Sequence, residues 1–164
     1  MAVIDVGPGA TDRLSSSAVS STRIDLANPA NDTGSLDTIE LWFLITGAGV
    51  KCGTFSGSST KYTSRDYEAI GDVTSGSKQS FSGLDCDVEA GDYLGVCGTS
   101  GNIDGYVTGG SGVYYKAGDQ FGAGEQTYVL SANYVISLYA TGTTGTAQPP
   151  MQNAIPAVMA LLMN

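Results

Sequence analysis

Alternation with a period of two, bounded by Gly, Asn, Asp and Ser, constrains this chain more than any other feature. Over residues 36–47, Ile39, Leu41, Phe43 and Ile45 share one face of an extended backbone, and Glu40, Trp42 and Leu44 share the other. That spacing predicts a strand buried on one side and partly covered on the second. Residues 128–140 repeat the pattern: Tyr134, Ile136, Leu138 and Ala140 alternate with Val135, Ser137 and Tyr139, which predicts a second central strand.

Shorter strands are expected at residues 3–6, 22–26, 50–55, 67–70, 78–84, 86–88, 93–97, 103–107 and 113–116. Asn28-Pro29, Asp32-Thr33-Gly34, Ser75-Gly76, Ala90-Gly91-Asp92, Gly101-Asn102 and Gly109-Gly110-Ser111-Gly112 separate them, supplying the fixed or positive φ that tight reversals need. Nothing in the order of elements supports a parallel α/β sheet. The expected fold is all-β: a two-sheet antiparallel β-sandwich of jelly-roll type, occupying residues 1–140. Gly, Ser and Thr make up roughly a third of the chain, but the regularly spaced Ile, Leu, Val, Tyr and Phe separate it from disordered chains of similar content.

Charge narrows the function classes. The 164 residues include 16 Asp or Glu, 7 Lys or Arg and no His, for a formal charge of −9. Such a chain lacks the clustered cations that replace counterions on nucleic acid, and it does not suit an anionic membrane surface. Without His, Ser-His-Asp and Cys-His catalysis and His-containing zinc sites are excluded. Acid–base work would fall to carboxylates, Tyr, Lys or Cys. Composition does not exclude a two-carboxylate glycosidase, yet no pair can be assigned a catalytic separation. No catalytic residue, metal ligand or cofactor is therefore assigned, and no segment reaches the roughly 20 apolar residues of a membrane span. If Met1 is the native start, the opening residues carry no secretory signal.

The charge is also unevenly placed, because the last 39 residues carry none. Beyond the second central strand, residues 141–150 read as a Gly/Thr/Pro linker and residues 151–164 as an apolar C-terminal arm. Ile155, Val158, Met159, Leu161, Leu162 and Met163 would form an exposed apolar patch unless covered. The cover is either the chain's own sandwich, as one more strand or a short helix starting near Pro156, or a neighbouring copy, reached by strand addition or as a helix in a groove; a disordered tail is the third reading.

Four smaller features have two readings each. Asp85, Asp87, Glu89, Asp92, Asn102 and Asp104 are either solvated turn residues or oxygen ligands for a hard cation, without the spacing of a known calcium loop. Tyr106, Tyr114 and Tyr115, near the Gly-rich loops, either fill the core or contact a glycan, with one of the adjacent pair facing each way. A two-residue hairpin turn at Gly91-Asp92 would set Cys86 opposite Cys97, and Cys52 reads as a small buried hydrophobe. Asn31-Asp32-Thr33 is an N-glycosylation triplet in a host equipped to use it.

The stretch from Gly71 through Phe81 to Leu84, followed by Val88-Glu-Ala-Gly-Asp-Tyr-Leu-Gly95, resembles a β-sandwich module common in uncharacterised phage and environmental-sequence proteins. Gly109-Gly-Ser-Gly-Val-Tyr-Tyr-Lys-Ala-Gly-Asp119 and Ile24-Asp-Leu-Ala-Asn-Pro-Ala-Asn-Asp-Thr-Gly34 carry the same likeness. The resemblance implies a jelly-roll or concanavalin-like sandwich of surface or virion proteins, and it transfers no activity or functional residue. The expectation is a non-enzymatic structural protein that assembles with copies of itself or a neighbouring structural protein through its arm. It would act in a virion, as capsid decoration or appendage, or on an extracellular surface. A fibre subunit and a carbohydrate-binding or receptor-binding module are the alternatives.

Overall fold

The computed structural model describes residues 1–145. The residues of the expected arm, Ile155, Val158, Met159, Leu161, Leu162 and Met163, lie outside the described residues. Thirteen strands follow one another: β1 (Val3–Val6), β2 (Ser15–Ala18), β3 (Ser21–Asp25), β4 (Gly34–Ser58), β5 (Lys61–Val73), β6 (Lys78–Val88), β7 (Tyr93–Cys97), β8 (Ser100–Tyr106), β9 (Val113–Ala117), β10 (Gln126–Thr127), β11 (Val129–Ser131), β12 (Val135–Ile136) and β13 (Leu138–Thr144). All pairings between named strands are antiparallel, and the main path runs β1-β13-β4-β7-β3-β9-β11 without closing.

The 25-residue β4 organises everything else. Its first part is flanked by β13, from Leu41↔Leu138 to Gly34↔Thr144, and by β6, from Trp42↔Lys78 to Gly34↔Val88. Its middle meets β8 at Phe43↔Ile103 and Ala48↔Ser100. Its last part is flanked by β5 and β7, with Thr54 opposite Asp66 and Leu94. The register shifts repeatedly between Phe43 and Lys51, where Gly49 takes a φ of 57°. Bulges of this kind bend a strand and sharpen its twist. The two ends of β4 come back together as a result: Thr54 Oγ1 donates to the Asp87 carbonyl at 2.7 Å, and Asp87 pairs with Ser35.

The bend explains where the alternation fails. Ile39, Leu41 and Phe43 are fully buried as expected, but Ile45 is 55% exposed because the shift after Phe43 turns it outward with Leu44. The predicted strands at 36–47 and 50–55 are one strand, as are those at 78–84 and 86–88. The second predicted central strand is instead divided into β11, β12 and β13, and Asn133, a residue with a Cβ, turns the chain between β11 and β12 at a φ of 60°. Neither β2, a Ser-rich segment without alternation, nor the two-residue β10 carries a strand signal in the sequence.

Two further expectations are corrected. Residues Thr141 to Thr144 belong to β13 and not to a linker, because β1 and β4 offer backbone partners on both sides. At the bulge there, a Cβ on Gly142 would lie 1.9 Å from the Ser35 carbonyl oxygen, so only glycine allows the close approach. The hairpin that would oppose Cys86 and Cys97 does not form: β6 pairs with the first part of β4, and β7 pairs with the last part and with β3. Cys52, Cys86 and Cys97 are free and buried.

The main core contains Ile4, Val6, Leu36, Ile39, Leu41, Phe43, Leu94, Ile103, Ile136 and Leu138, all fully buried. A second, aromatic cluster joins Phe55, Tyr62, Tyr114, Phe121 and Tyr128. Its rings meet at tilted and edge-on angles, with Phe55–Phe121 and Tyr62–Tyr114 centroids 5.1 Å apart. Among the described residues, the buried Tyr128 hydroxyl has no hydrogen-bond partner. Removing such a group relieves a desolvation penalty of about 1–3 kcal/mol. Tyr128→Phe is therefore expected to leave the thermal midpoint unchanged or raise it by a few degrees; a clear fall would show that the hydroxyl is satisfied.

Candidate functional site

The segment between β1 and β2 belongs to no strand, yet a buried polar network fixes it. The Arg13 amide donates to Asp104 Oδ2 at 2.7 Å, Arg13 Nε donates to Ser137 Oγ at 2.9 Å, and Ser137 Oγ donates to the Thr11 carbonyl at 2.6 Å. Asp104 on β8 and Ser137 before β13 are fully buried, and Asp104 also accepts the Gly105 amide at 2.9 Å. Burial raises the Asp104 carboxyl above its usual range and the two backbone amides draw it back, with the neighbouring Asp12 carboxyl adding to the rise.

This network holds up a hollow of about 330 Å³ lined by Asp12, Arg13, Leu14 and Tyr106. Leu14 is 88% exposed and Tyr106 38% exposed. An aromatic ring, an aliphatic side chain, a carboxylate and a guanidinium thus converge on a supported surface. That set suits a ligand with both an apolar face and hydroxyl groups. Of the residues here, Tyr106 and Asp104 are the two that stand out as candidates in the sequence. The pair Asp12-Arg13 lies in an aperiodic stretch, and only tertiary contacts reveal what it does.

The other tyrosine candidates divide as adjacent strand residues must. Tyr114 is 8% exposed and packs against Tyr62, so its ring belongs to the core. Tyr115 faces the opposite way, half-buried, with the Arg23 guanidinium 5.7 Å from its ring centroid.

The acidic candidates do not gather. Asp92 is buried and takes a bidentate contact from Arg65, which also reaches Glu89 at 2.9 Å. Asp85 accepts from Ser35 Oγ, and Asn102 donates to Ser16 Oγ. Among the described residues, no three His, Cys, Asp or Glu side chains form a group able to hold a metal ion. No helix among them is long and apolar enough to cross a membrane.

A larger hollow of about 470 Å³ is lined by Ser20, Gly49, Lys51, Cys97, Gly98, Thr99, Gly118 and Asp119. Its two charges neutralise each other, Lys51 Nζ lying 2.6 Å from Asp119 Oδ2 and 5.0 Å from the Tyr67 ring centroid. The Cys97 thiol at its wall is pushed up by burial, away from the thiolate form that reacts.

No family model matches this chain, and neither do any curated protein or solved structure.

One buried carboxylate has a measurable consequence. Asp25 ends β3 fully buried, accepting the Ala27 and Ile136 amides at 2.8 Å each. Burial outweighs those bonds and pushes its carboxyl up to about 6, from an ordinary 3.8. The folded state thus holds this proton more tightly than the unfolded chain does. The stabilisation is complete below the ordinary carboxyl range and is lost as pH rises through about 6, amounting to about 3 kcal/mol. Urea midpoints measured between pH 4 and 7 should fall with rising pH by this contribution. Asp25→Asn should flatten the decline, and an unchanged slope would assign it elsewhere.

Proposed function

We propose that this chain is a non-enzymatic structural protein that assembles through its apolar C-terminal arm, in a virion as capsid decoration or appendage, or as an extracellular fibre subunit. The observation that carries the reading is the enclosure of β13. The strand just before the arm is flanked by β1 on one side and β4 on the other through Thr143. Its end is also tied to the N-terminus, Thr144 donating its amide to the Ala2 carbonyl at 3.1 Å. A hairpin return beside β13 thus has no free edge to use, and the uncharged segment 151–164 must find cover elsewhere.

The finer fold belongs to the same reading. The antiparallel strands, and a β4 bent until Thr54 reaches the partner of Ser35, fit two packed sheets of jelly-roll type. A sandwich with a neutral arm and an acidic body favours specific association over adhesive contact with polyanions.

A second reading has its own support. The Tyr106, Leu14, Asp12 and Arg13 hollow suits a saccharide, which would make the body a glycan-binding or receptor-binding module. Tyr106→Ala should abolish binding in a glycan screen if that reading holds.

The assembly reading is tested by solution mass and electron microscopy of the full chain and of a truncation ending at Gly145. We expect the full chain to form multimers and the truncation to be monomeric. Identical behaviour of the two would overturn the reading.

A further inference from the structure

We propose that the open edge of β11 is the acceptor surface, and that it takes residues 151–164 of a second copy as an added strand. This rests on the assembly reading and names its partner site. An edge strand presents unpaired N–H and C=O groups to any extended chain, and folds that avoid random pairing protect them.

The edge of β1 is plugged by side chains. The Asp5 amide donates to Asn31 Oδ1 at 2.9 Å, and Asn31 Nδ2 donates to the Val3 carbonyl at 3.2 Å. The Gly7 amide donates to the Asn28 carbonyl at 2.9 Å, and Asn28 Nδ2 returns to the Gly7 carbonyl at 3.2 Å. Two asparagines three apart thus stand in for a neighbouring strand, a structural role for the Asn31 amide that its glycosylation triplet does not suggest. At β6, the Asp85 amide donates to Glu68 Oε1 at 2.9 Å and the Asp87 amide to Asp66 Oδ2 at 2.8 Å. Both edges also carry acidic residues.

The edge of β11 differs in each respect. It pairs with β9 alone, and among the described residues no side chain hydrogen-bonds to its backbone. Val129 is 58% and Leu130 45% exposed, so both faces at this edge are apolar. The occupant that matches is uncharged and apolar. Residues 157–163, after Pro156, supply seven consecutive residues whose amides are free of proline. Between β13 and that run stands Pro149-Pro150, and consecutive prolines favour an extended spacer, which suits an arm that reaches a second copy.

The test uses the full chain. Val129→Lys and Leu130→Lys, each checked for an unchanged thermal midpoint, should raise the concentration at which multimers form by at least about tenfold, or 1.4 kcal/mol. Amide exchange of the unaltered chain should slow at Val129–Ser131 on going from dilute monomer to multimer. This second measurement stands even if a lysine variant fails to fold. If the truncation at Gly145 is monomeric while both variants assemble normally and exchange at Val129–Ser131 is unaltered, the acceptor lies elsewhere and the arm reading survives. If the truncation assembles like the full chain, the arm reading itself fails. Protection of these amides in a chain that is monomeric at every concentration would mean that the arm returns to its own body, which also overturns the proposal.

Discussion

The bend in β4 is the constraint on which the rest of the molecule depends. A straight strand of 25 residues would span about 80 Å, far longer than a domain of this size is wide. Register shifts between Phe43 and Lys51 let a single chain segment pair with β13 and β6, then β8, then β5 and β7. Phe43, fully buried just before the bend, anchors the main core, and Phe55 anchors the aromatic one. The two cores are thus products of one strand changing direction.

A fold built this way still has edges, and their treatment links structure to function. Asn28 and Asn31 satisfy the outer face of β1, while Asp66 and Glu68 satisfy part of β6. Polar side chains spent on edges act against indiscriminate strand pairing, as does the net charge of −9. The uncharged end of the chain and the apolar edge at β11 are exceptions to that policy, and they are chemically alike. That likeness is the ground on which we propose that association occurs there.

The all-β character was legible because burial on one face imposes a period of two, and Ile39, Leu41 and Phe43 obey it. Ile45 did not, because a bulge resets the period and leaves only Gly47-Ala48-Gly49 as a local trace. Asn133 broke the second long pattern for a related reason: one left-handed residue outweighs a run of favourable side chains. Pairing partners were the least legible, since β6 and β7 look like a hairpin locally but each finds more surface against β4. The Tyr106 hollow was half legible, its ring visible in sequence and its support at Arg13, Asp104 and Ser137 set by contacts across more than 90 residues.

The most direct measurement of the central claim is a set of nuclear Overhauser contacts across the folded-back β4. The account predicts contacts from the Thr54 methyl to the Asp87 and Val88 amides, together with contacts from Ser35 to Asp87 in the same molecule. A β4 seen beside β6 at Ser35, with no contact between Thr54 and Asp87, would contradict it.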